Sequence, residues 1–414
     1  MNLSLLVYSI SILGPTLSAN SRFDVFIVFY LLLGRLIGDR LKFYRFKNLL
    51  LPAVILFATI VICIFFQYLF GKISIFQGLP SLWGYGKIVL FSAFYSSEFV
   101  KIKNSISCSG EFVKFLGKIR FVTFACLFIS IFMLILPDAS GLINFIYRGG
   151  IENTGNTYSI SRPVSVFDSV HACAYFFTLT PILLFSLFSE SSHSIHPITP
   201  HALKIFNQIA LICIIGLFFT SSKAGLFGVF VFYLTYYISR LFQFQFSLNL
   251  TRKVSKVLVI FLPIAITLLM LLSGKLFGLI SSIYNSFDSL LAFLGRGLES
   301  EIVSDSFSGR LNHGWANAME NFYQNPLFGS VNITKFIGDG GYTELLSNYG
   351  LLGLLAVLVY ILLSIRVFSS RRIRLSIFLA FLMLIIPTGL FQRKVLEVIP
   401  FYFTFSLAYS SKFK

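Results

Sequence analysis

Arginines and carboxylates are concentrated in two stretches of the sequence, residues 137–168 and 274–344, which lie between long apolar segments. The second stretch contains Arg310 and ends in Asp339-Gly340-Gly341-Tyr342-Thr343-Glu344. Guanidinium groups bind phosphate and pyrophosphate through paired hydrogen bonds. A partly buried carboxylate can act as a general base near neutral pH. The two residue types together predict a site that holds an anionic, phosphate-bearing substrate and removes a proton from it.

Arg310 lies in the first turn of a predicted amphipathic helix over residues 309–324. Ser308 is a suitable N-cap, and Asn325-Pro326 ends the pattern. The free N–H groups of such a first turn, together with Arg310, favour a phosphate ligand. The alternative is that Arg310 only snorkels or pairs with a nearby acid such as Asp305. The apolar face, expected on the membrane surface, consists of Leu311, Trp315, Ala318, Met319 and Phe322.

The composition predicts an all-α, polytopic integral membrane protein. The chain has 414 residues, of which 56% are hydrophobic and only 12% are charged, whereas soluble domains are about 25% charged. About twelve apolar runs come near the length of a membrane-spanning helix. They lie near residues 3–17, 24–38, 49–70, 82–97, 120–136, 169–188, 204–220, 224–239, 257–273, 345–364, 375–390 and 396–410.

Lysine and arginine orient the predicted spans. Every second loop is basic, from residues 39–48 to residues 366–374, so the positive-inside rule places both termini in the cytoplasm. The two charged stretches then become large outer loops of a single membrane domain over residues 1–414. The rule disfavours outer basic residues, and phosphate binding would explain those that occur. They include Arg148, Arg162, Lys223, Lys275, Arg296, Arg310, Lys335, Arg393 and Lys394.

The sequence predicts neither a metal nor a nucleotide cofactor. The five cysteines are scattered, and neither a C-x-x-C pair nor a glycine-rich phosphate loop occurs. The net charge of +17 is accounted for by the basic cytoplasmic loops, so no nucleic-acid partner is expected. The expected partners are membrane lipid and a lipid-linked anionic substrate.

Four further residues at the predicted outer face have two interpretations each. Asp339 and Glu344 stand just before the apolar run that begins near Leu345, where a carboxylate is either a base or an interfacial charge that ends a span. Tyr342 is either an interfacial aromatic or a substrate contact. His171, at the start of the sixth span, is either structural or a substrate contact. The residues alone leave these alternatives open.

Three blocks of the sequence resemble the superfamily of bacterial O-antigen polymerases and O-antigen ligases. The block that opens the family's middle span is similar to Arg162-Pro163-Val164-Ser165-Val166-Phe167, followed by His171-Ala172. The family's T-x-S-R-G/A hairpin is similar to Thr220-Ser221-Ser222-Lys223-Ala224-Gly225, with lysine in place of arginine. The signature around the family's largest periplasmic loop resembles residues 308–315, 325–329 and 342–353.

One position distinguishes polymerases from ligases in this superfamily. The resemblance aligns Asp339 with a histidine that the ligases carry in an H-N-x-Y-L pattern, and polymerases often have aspartate there. This position favours a polymerase. A second feature points the other way, because the spaced arginine-to-glycine repeat of some polymerases does not occur. The eleventh residues after Arg162 and Arg310 are Cys173 and Asn321.

The resemblance implies a glycosyltransferase at the periplasmic face of the bacterial inner membrane. Its substrate is an oligosaccharide linked to undecaprenyl pyrophosphate, and a chain-length co-polymerase is an expected partner. Asp339 is the implied base, with Glu344 in reserve, while Arg310, Arg162 and Lys223 stabilise the departing pyrophosphate without a metal. Further implied contacts are Arg148 and Arg296 to pyrophosphate, and His171, His313 and Tyr342 to sugar.

Two other functions remain open at the level of sequence. A ligase on the same fold differs only at details such as Asp339. A flippase or other transporter of the lipid-linked unit is expected to carry its charges within the spans. Here the charges lie in long loops at the predicted membrane face, which favours an enzyme. A capsule or exopolysaccharide polymerase has nearly the same pattern.

Overall fold

The computed structural model of the chain describes residues 2–13, 16–18, 21–38, 42–43, 46–106, 109–135, 167, 170–191, 199–220, 223–241, 315–330, 341–368, 370–385 and 395–410. The span expected near residues 257–273 lies outside these residues. So do almost all of residues 137–168 and most of residues 274–344.

The described part of the chain is a bundle of helices with one short β-hairpin. The hairpin pairs β1 (Thr16–Ser18) with β2 (Ser21–Arg22) in antiparallel orientation. The first helices are α1 (Asn2–Leu13), α2 (Phe23–Ile37), α3 (Phe46–Leu49), α4 (Leu51–Leu69), α5 (Ile75–Ile106) and α6 (Ser109–Ile135). The later helices are α7 (Val170–Ser191), α8 (Pro200–Thr220), α9 (Lys223–Leu241), α10 (Trp315–Gln324), α11 (Gly341–Ser364), α12 (Arg371–Ile385) and α13 (Val395–Ser410), and a 3-10 turn (Ile365–Val367) follows α11.

The architecture confirms an all-α, polytopic membrane protein. Five of the described helices, α4, α6, α7, α8 and α11, are long and apolar enough to cross a membrane. Large aromatic side chains such as Phe29, Phe121 and Phe128 are more than half exposed on the outside of the bundle. Such a surface suits contact with lipid. The count of about twelve spans stays a prediction.

Helix α7 lies at the centre of the bundle. Within its apolar window Ala172–Ser189, 89% of the residues are buried, compared with 39% for the window of α4. It packs against α8, α9 and α13, with Tyr175 and Phe177 completely buried. A helix that is apolar on all sides belongs inside a bundle rather than against solvent. The helices packed around α7 therefore hold its first turn, which carries His171, in place.

Two helices differ in length from the apolar runs that predict them. Helix α5 has 32 residues, against a run over residues 82–97, so at about 48 Å it is longer than the hydrocarbon layer is thick. Pro80 lies inside α5 without ending it. Helix α1 ends at Leu13 rather than near residue 17, because Gly14-Pro15 follows and the residue before a proline disfavours helix.

A buried ion pair joins α2 to α5. The Arg35 guanidinium donates hydrogen bonds to the Glu98 carboxylate and the Ser97 hydroxyl, and it lies 5.4 Å from the ring centre of Phe94. The Glu98 side chain is 1% exposed, and the ammonium group of Lys101 lies 3.2 Å from the same carboxylate oxygen. A carboxylate this deeply buried is stable only while cations neutralise it.

We expect Arg35→Ala to lower the free energy of unfolding by about 3 kcal/mol, because the Glu98 charge stays buried with only an exposed partner. Lys114→Ala is the matched control, since Lys114 and Glu111 form an exposed ion pair at 2.9 Å. The control is expected to lower the free energy of unfolding by about 0.5 kcal/mol or less. Thermal unfolding of the purified protein in detergent measures both changes. Equal losses of stability in the two variants would show that Arg35 does not stabilise the buried Glu98 carboxylate.

Candidate functional site

The N-terminal part of α11 is built around a break in the helix at Gly350. This glycine has a φ of 64° and a ψ of −160°, a conformation that other residues rarely adopt. Residues 325–330, which follow α10, cross α11 at the break, and Gly329 there has a φ of 68°. A Cβ on Gly329 would stand 2.5 Å from the Tyr349 nitrogen, and one on Gly350 would stand 2.5 Å from the Leu327 oxygen. We call this contact between two backbones the crossing.

The crossing supplies acceptors for the N–H groups that the break releases. In an intact helix, the N–H groups of Leu351 and Leu352 would bond to carbonyl groups four residues earlier. The Leu351 N–H instead donates to the Pro326 oxygen at 2.9 Å, and the Leu352 N–H donates to the Leu327 oxygen at 3.2 Å. The helix therefore loses no hydrogen bonds at these two residues.

The carbonyl groups that the break releases also have partners. The Ser347 oxygen accepts the Ser330 N–H at 2.7 Å, and the Asn348 oxygen accepts a hydrogen bond from Gln67 Nε2 at 2.6 Å. Broken helices in many transporters leave such groups to bind substrate or ions. Here the chain's own groups bind these two carbonyl oxygens, so the break serves to join segments of the protein.

Further side chains hold α10 and the crossing against the bundle. The Phe328 ring stacks on Phe66 of α4, with 4.4 Å between ring centres. The Asn321 amide of α10 donates to the Ser347 hydroxyl of α11 at 3.1 Å. Two blocks of the sequence, residues 325–329 and the part of residues 342–353 around Gly350, are thus one structural unit.

A helix forms over Trp315–Gln324, within the residues 309–324 that the sequence predicts as an amphipathic helix. Phe322, on the predicted apolar face, is 8% exposed, whereas Glu320 and Gln324 on the opposite face are exposed. Asn321 departs from the pattern, because it is 2% exposed and bonds to α11. Residues 309–314 of the expected helix lie outside the described residues.

Among the predicted site residues, Glu344 has a described side chain. It is partly exposed in the first turn of α11, and its carboxylate interacts electrostatically with the hydroxyl groups of Tyr85 and Tyr349. These tyrosines are 2% and 1% exposed, and their rings meet edge to face at 5.6 Å between centres. Within the described part of the chain, the buried Asn348 Oδ1 makes no hydrogen bond. The structure thus places one of the predicted carboxylates, partly exposed, in the first turn of α11.

Two other predicted site residues, His171 and Lys223, lie in the first turns of α7 and α9, which are neighbouring helices. Gly225 of α9 packs against α7, where its carbonyl oxygen lies 3.2 Å from the Thr178 hydroxyl, and a Cβ on Gly225 would stand 3.4 Å from Ala174. Lys223 stands two residues before Gly225, and His171 stands one turn before Ala174. The structure therefore brings together the first turns of α7 and α9, although the two side chains lie outside what it describes.

The block that begins at Arg162 is anchored at its other end. Phe167 is completely buried and lies 5.3 Å from Phe176 of α7, measured between ring centres. Its packing ties the end of this block to the central helix, four residues before His171.

The other predicted site residues lie outside the described residues, so their roles stay predictions. They are Arg148, Arg162, Arg296, Arg310, His313 and Asp339, together with the side chain of Tyr342 at the start of α11. Helix α11 packs on α4 and α10, whereas α9 packs on α7 and α12. Glu344 and the Lys223 turn thus lie on different helices, and α12 contacts both of these helices. Over the described ranges, no group of three or more metal-ligating side chains occurs.

Gln67 and Asn321 bond to α11 at the crossing, and the sequence reasoning missed both. Gln67 is the only amide side chain in the apolar run over residues 49–70 and is fully buried. Polar side chains inside spans are costly and often mark functional positions. That signal identifies the residue without identifying its partners.

Comparison with known proteins adds one match. A family model described as O-antigen ligase matches residues 208–342, which run from the second half of α8 to the start of α11. This range includes Lys223, Arg296, Arg310, Asp339 and Tyr342. A search of curated proteins and a search of solved structures found no match to the chain. The family-model match supports membership of the chain in the O-antigen polymerase and ligase superfamily.

Proposed function

We propose that the protein is an O-antigen polymerase. It joins oligosaccharide repeat units carried on undecaprenyl pyrophosphate at the periplasmic face of the bacterial inner membrane, with both of its own termini in the cytoplasm. The family match supports an activity in this superfamily. Asp339, which aligns with the histidine of the ligases, favours polymerase within it. Chain length is set together with a separate co-polymerase.

The proposed reaction is a glycosyl transfer. A hydroxyl group of the acceptor repeat unit attacks the anomeric carbon of the donor chain, and the bond between that carbon and the pyrophosphate oxygen breaks. The proton of the hydroxyl passes to Asp339, or to Glu344 in reserve, and undecaprenyl pyrophosphate leaves. Arg310, Arg162 and Lys223 stabilise the negative charge that develops on the leaving group. Arg148 and Arg296 are further candidates for that role, and His171, His313 and Tyr342 contact sugar.

The observation that carries this proposal is the construction of the N-terminal end of α11. Glu344 stands there partly exposed beside two buried tyrosines, and the crossing holds the first turns of the helix against α4 and α10. Acid–base catalysis requires a carboxylate held within hydrogen-bonding reach of the substrate. A helix start that is bonded on two sides provides such a support.

A ligase that transfers finished polymer to the lipid A core is the second candidate. The description of the matching family model, O-antigen ligase, favours it. Both enzymes use the same lipid-linked donor, so the proposed arginines serve either reaction. They differ in the acceptor, which a cellular phenotype reveals.

The test is a lipopolysaccharide gel from a strain that lacks this protein. A polymerase deletion is expected to leave core that carries a single repeat unit, because ligation of unpolymerised units continues. Complementation with the wild-type protein restores the ladder of longer chains. Bare core in the deletion strain would instead identify a ligase or a flippase, and an unchanged ladder would contradict all three.

A further inference from the structure

Gln67 joins the two segments that form the crossing. It is fully buried two residues before the end of α4, and its Nε2 donates to the Phe328 oxygen at 2.7 Å and to the Asn348 oxygen at 2.6 Å. An amide nitrogen carries two hydrogens, so one side chain bonds to both segments at once. An apolar residue of the same size would fill the space and leave both carbonyl oxygens without this donor.

A second side chain of α4, Cys63, also contacts the crossing. Cys63 lies one helical turn before Gln67, and its sulfur lies 3.5 Å from the Tyr349 oxygen. Positions four residues apart share a face of a helix. Cys63 is 0% exposed. One face of α4 thus lies along the crossing, and the Cys63 thiol is buried between this face and the crossing.

The bonded carbonyl groups lie close to the residues of the proposed reaction. Asn348 is one helical turn after Glu344, so a hydrogen bond at Asn348 holds the turn that carries this carboxylate. Phe328 and Asn348 also stand on either side of Asp339 in the sequence. Gln67, more than 260 residues earlier, has no reacting group of its own.

We propose that Gln67 is a positioning residue for the glycosyl transfer. It holds residues 325–330 and the first turns of α11 in one register, so that Glu344 keeps the geometry that the reaction requires. This inference rests on the proposed function. Displacement of a catalytic group by about 1 Å can cost about 100-fold in rate, and a lost tie between two segments permits such a displacement.

The test compares Gln67→Leu with Thr59→Val on the same helix. Leucine keeps the approximate size of glutamine and removes the donor. The Thr59 hydroxyl bonds only within α4, to the Ile55 oxygen at 2.9 Å, so its loss leaves the crossing intact. Turnover per molecule of monodisperse protein is measured on a lipid extract of the polymerase-deletion strain. We expect Gln67→Leu to lower kcat about 10- to 100-fold with KM within about twofold of wild type, and Thr59→Val to change neither.

A second measurement reports the crossing directly. In a protein that keeps only the Cys63 thiol, the rate of alkylation by N-ethylmaleimide measures how often the crossing opens. We expect Gln67→Leu to raise this rate about tenfold or more, since opening follows the loss of two hydrogen bonds. The cysteines replaced by alanine for this purpose are Cys108, Cys126, Cys173 and Cys213.

Gln67→Asn keeps the experiment decisive if Gln67→Leu does not fold. Its shorter amide reaches fewer acceptors, and we expect it to lower kcat about tenfold at unchanged KM. Wild-type turnover in every Gln67 variant that yields monodisperse protein would overturn the inference. So would a loss of activity that disappears once rates are divided by the amount of monodisperse protein.

The proposed function is judged separately in the wild-type reaction. If wild-type protein extends no chain but transfers the unit to added lipid A core, polymerase is wrong. The same Gln67 comparison is then made on that transfer, and its kcat and KM decide the inference as before.

Discussion

Gly329→Ala and Gly350→Ala are each expected to destabilise the protein by about 3 kcal/mol or more. Each glycine has a positive φ, which costs other residues about 1–3 kcal/mol. Each added methyl group would also stand 2.5 Å from backbone atoms of the facing segment. Backbone atoms cannot rotate away as the end of a side chain can, so the crossing itself must separate. The hydrogen bonds from Gln67 to the Phe328 and Asn348 oxygens are then lost as well.

Thermal unfolding in detergent and the yield of monodisperse protein measure this effect. Gly84→Ala in α5 and Gly117→Ala in α6 are matched controls, because a Cβ there meets nothing within 4 Å. In a helix interior, alanine is preferred to glycine by about 1 kcal/mol, so the controls are expected to be neutral or slightly stabilising. If the Gly329 and Gly350 variants unfolded at the same temperature as the controls, the close approach of the two backbones would be wrong.

The sequence predicts the helices of this protein well because their signal is local. The apolar runs over residues 49–70 and 204–220 correspond to Leu51–Leu69 and Pro200–Thr220. A span must satisfy its backbone hydrogen bonds within itself and present apolar side chains to lipid, and both requirements are visible in composition. The hairpin Thr16–Arg22 begins at the end of the apolar run near residues 3–17 and was not predicted, since strands of two or three residues are too short for an alternating pattern.

The crossing could not be predicted from the same information. Sequence alone places Gly329 and Gly350 in segments that resemble the superfamily, without showing that the two residues touch. The contact requires two segments and α4 to meet, and Gln67 lies far from both along the chain. A single glutamine in an apolar run is unusual, but only the fold gives it two carbonyl partners. Pairing between distant segments is set by packing rather than by local preference.

The sequence likewise predicts one part of the candidate site, and only the fold reveals the other part. Residue types and predicted topology indicate that Arg310 and Asp339 belong to a reactive site at the membrane face, and the resemblance assigns their roles. The structure adds the contacts that hold the first turns of α11 around Glu344, from Gln67 to the Asn348 oxygen and from Asn321 to the Ser347 hydroxyl. Support residues of this kind carry no reactive signature. Their contribution becomes visible only when the distances are known.

Asp339→Asn is expected to abolish polymerisation in cells, leaving core with one repeat unit at an unchanged protein level. Asparagine matches the size of aspartate but cannot accept the proton of the attacking hydroxyl group. Loss of a general base typically lowers a rate by about 10²- to 10⁴-fold, which is enough to remove the long chains from a lipopolysaccharide gel. Complementation of the deletion strain with the variant, with protein quantified in the membrane fraction, is the measurement.

Two further variants make this result specific to Asp339. Asp305→Asn removes a carboxylate from the same charged stretch, residues 274–344, and is expected to leave a full ladder. Glu344→Gln separates the two candidate bases, because a carboxylate that only supports the site costs less than the one that takes the proton. A full ladder with Asp339→Asn together with single-unit core in Glu344→Gln would transfer the role of base to Glu344. A full ladder in both would show that neither carboxylate takes the proton, and the reaction would then need a base on another segment.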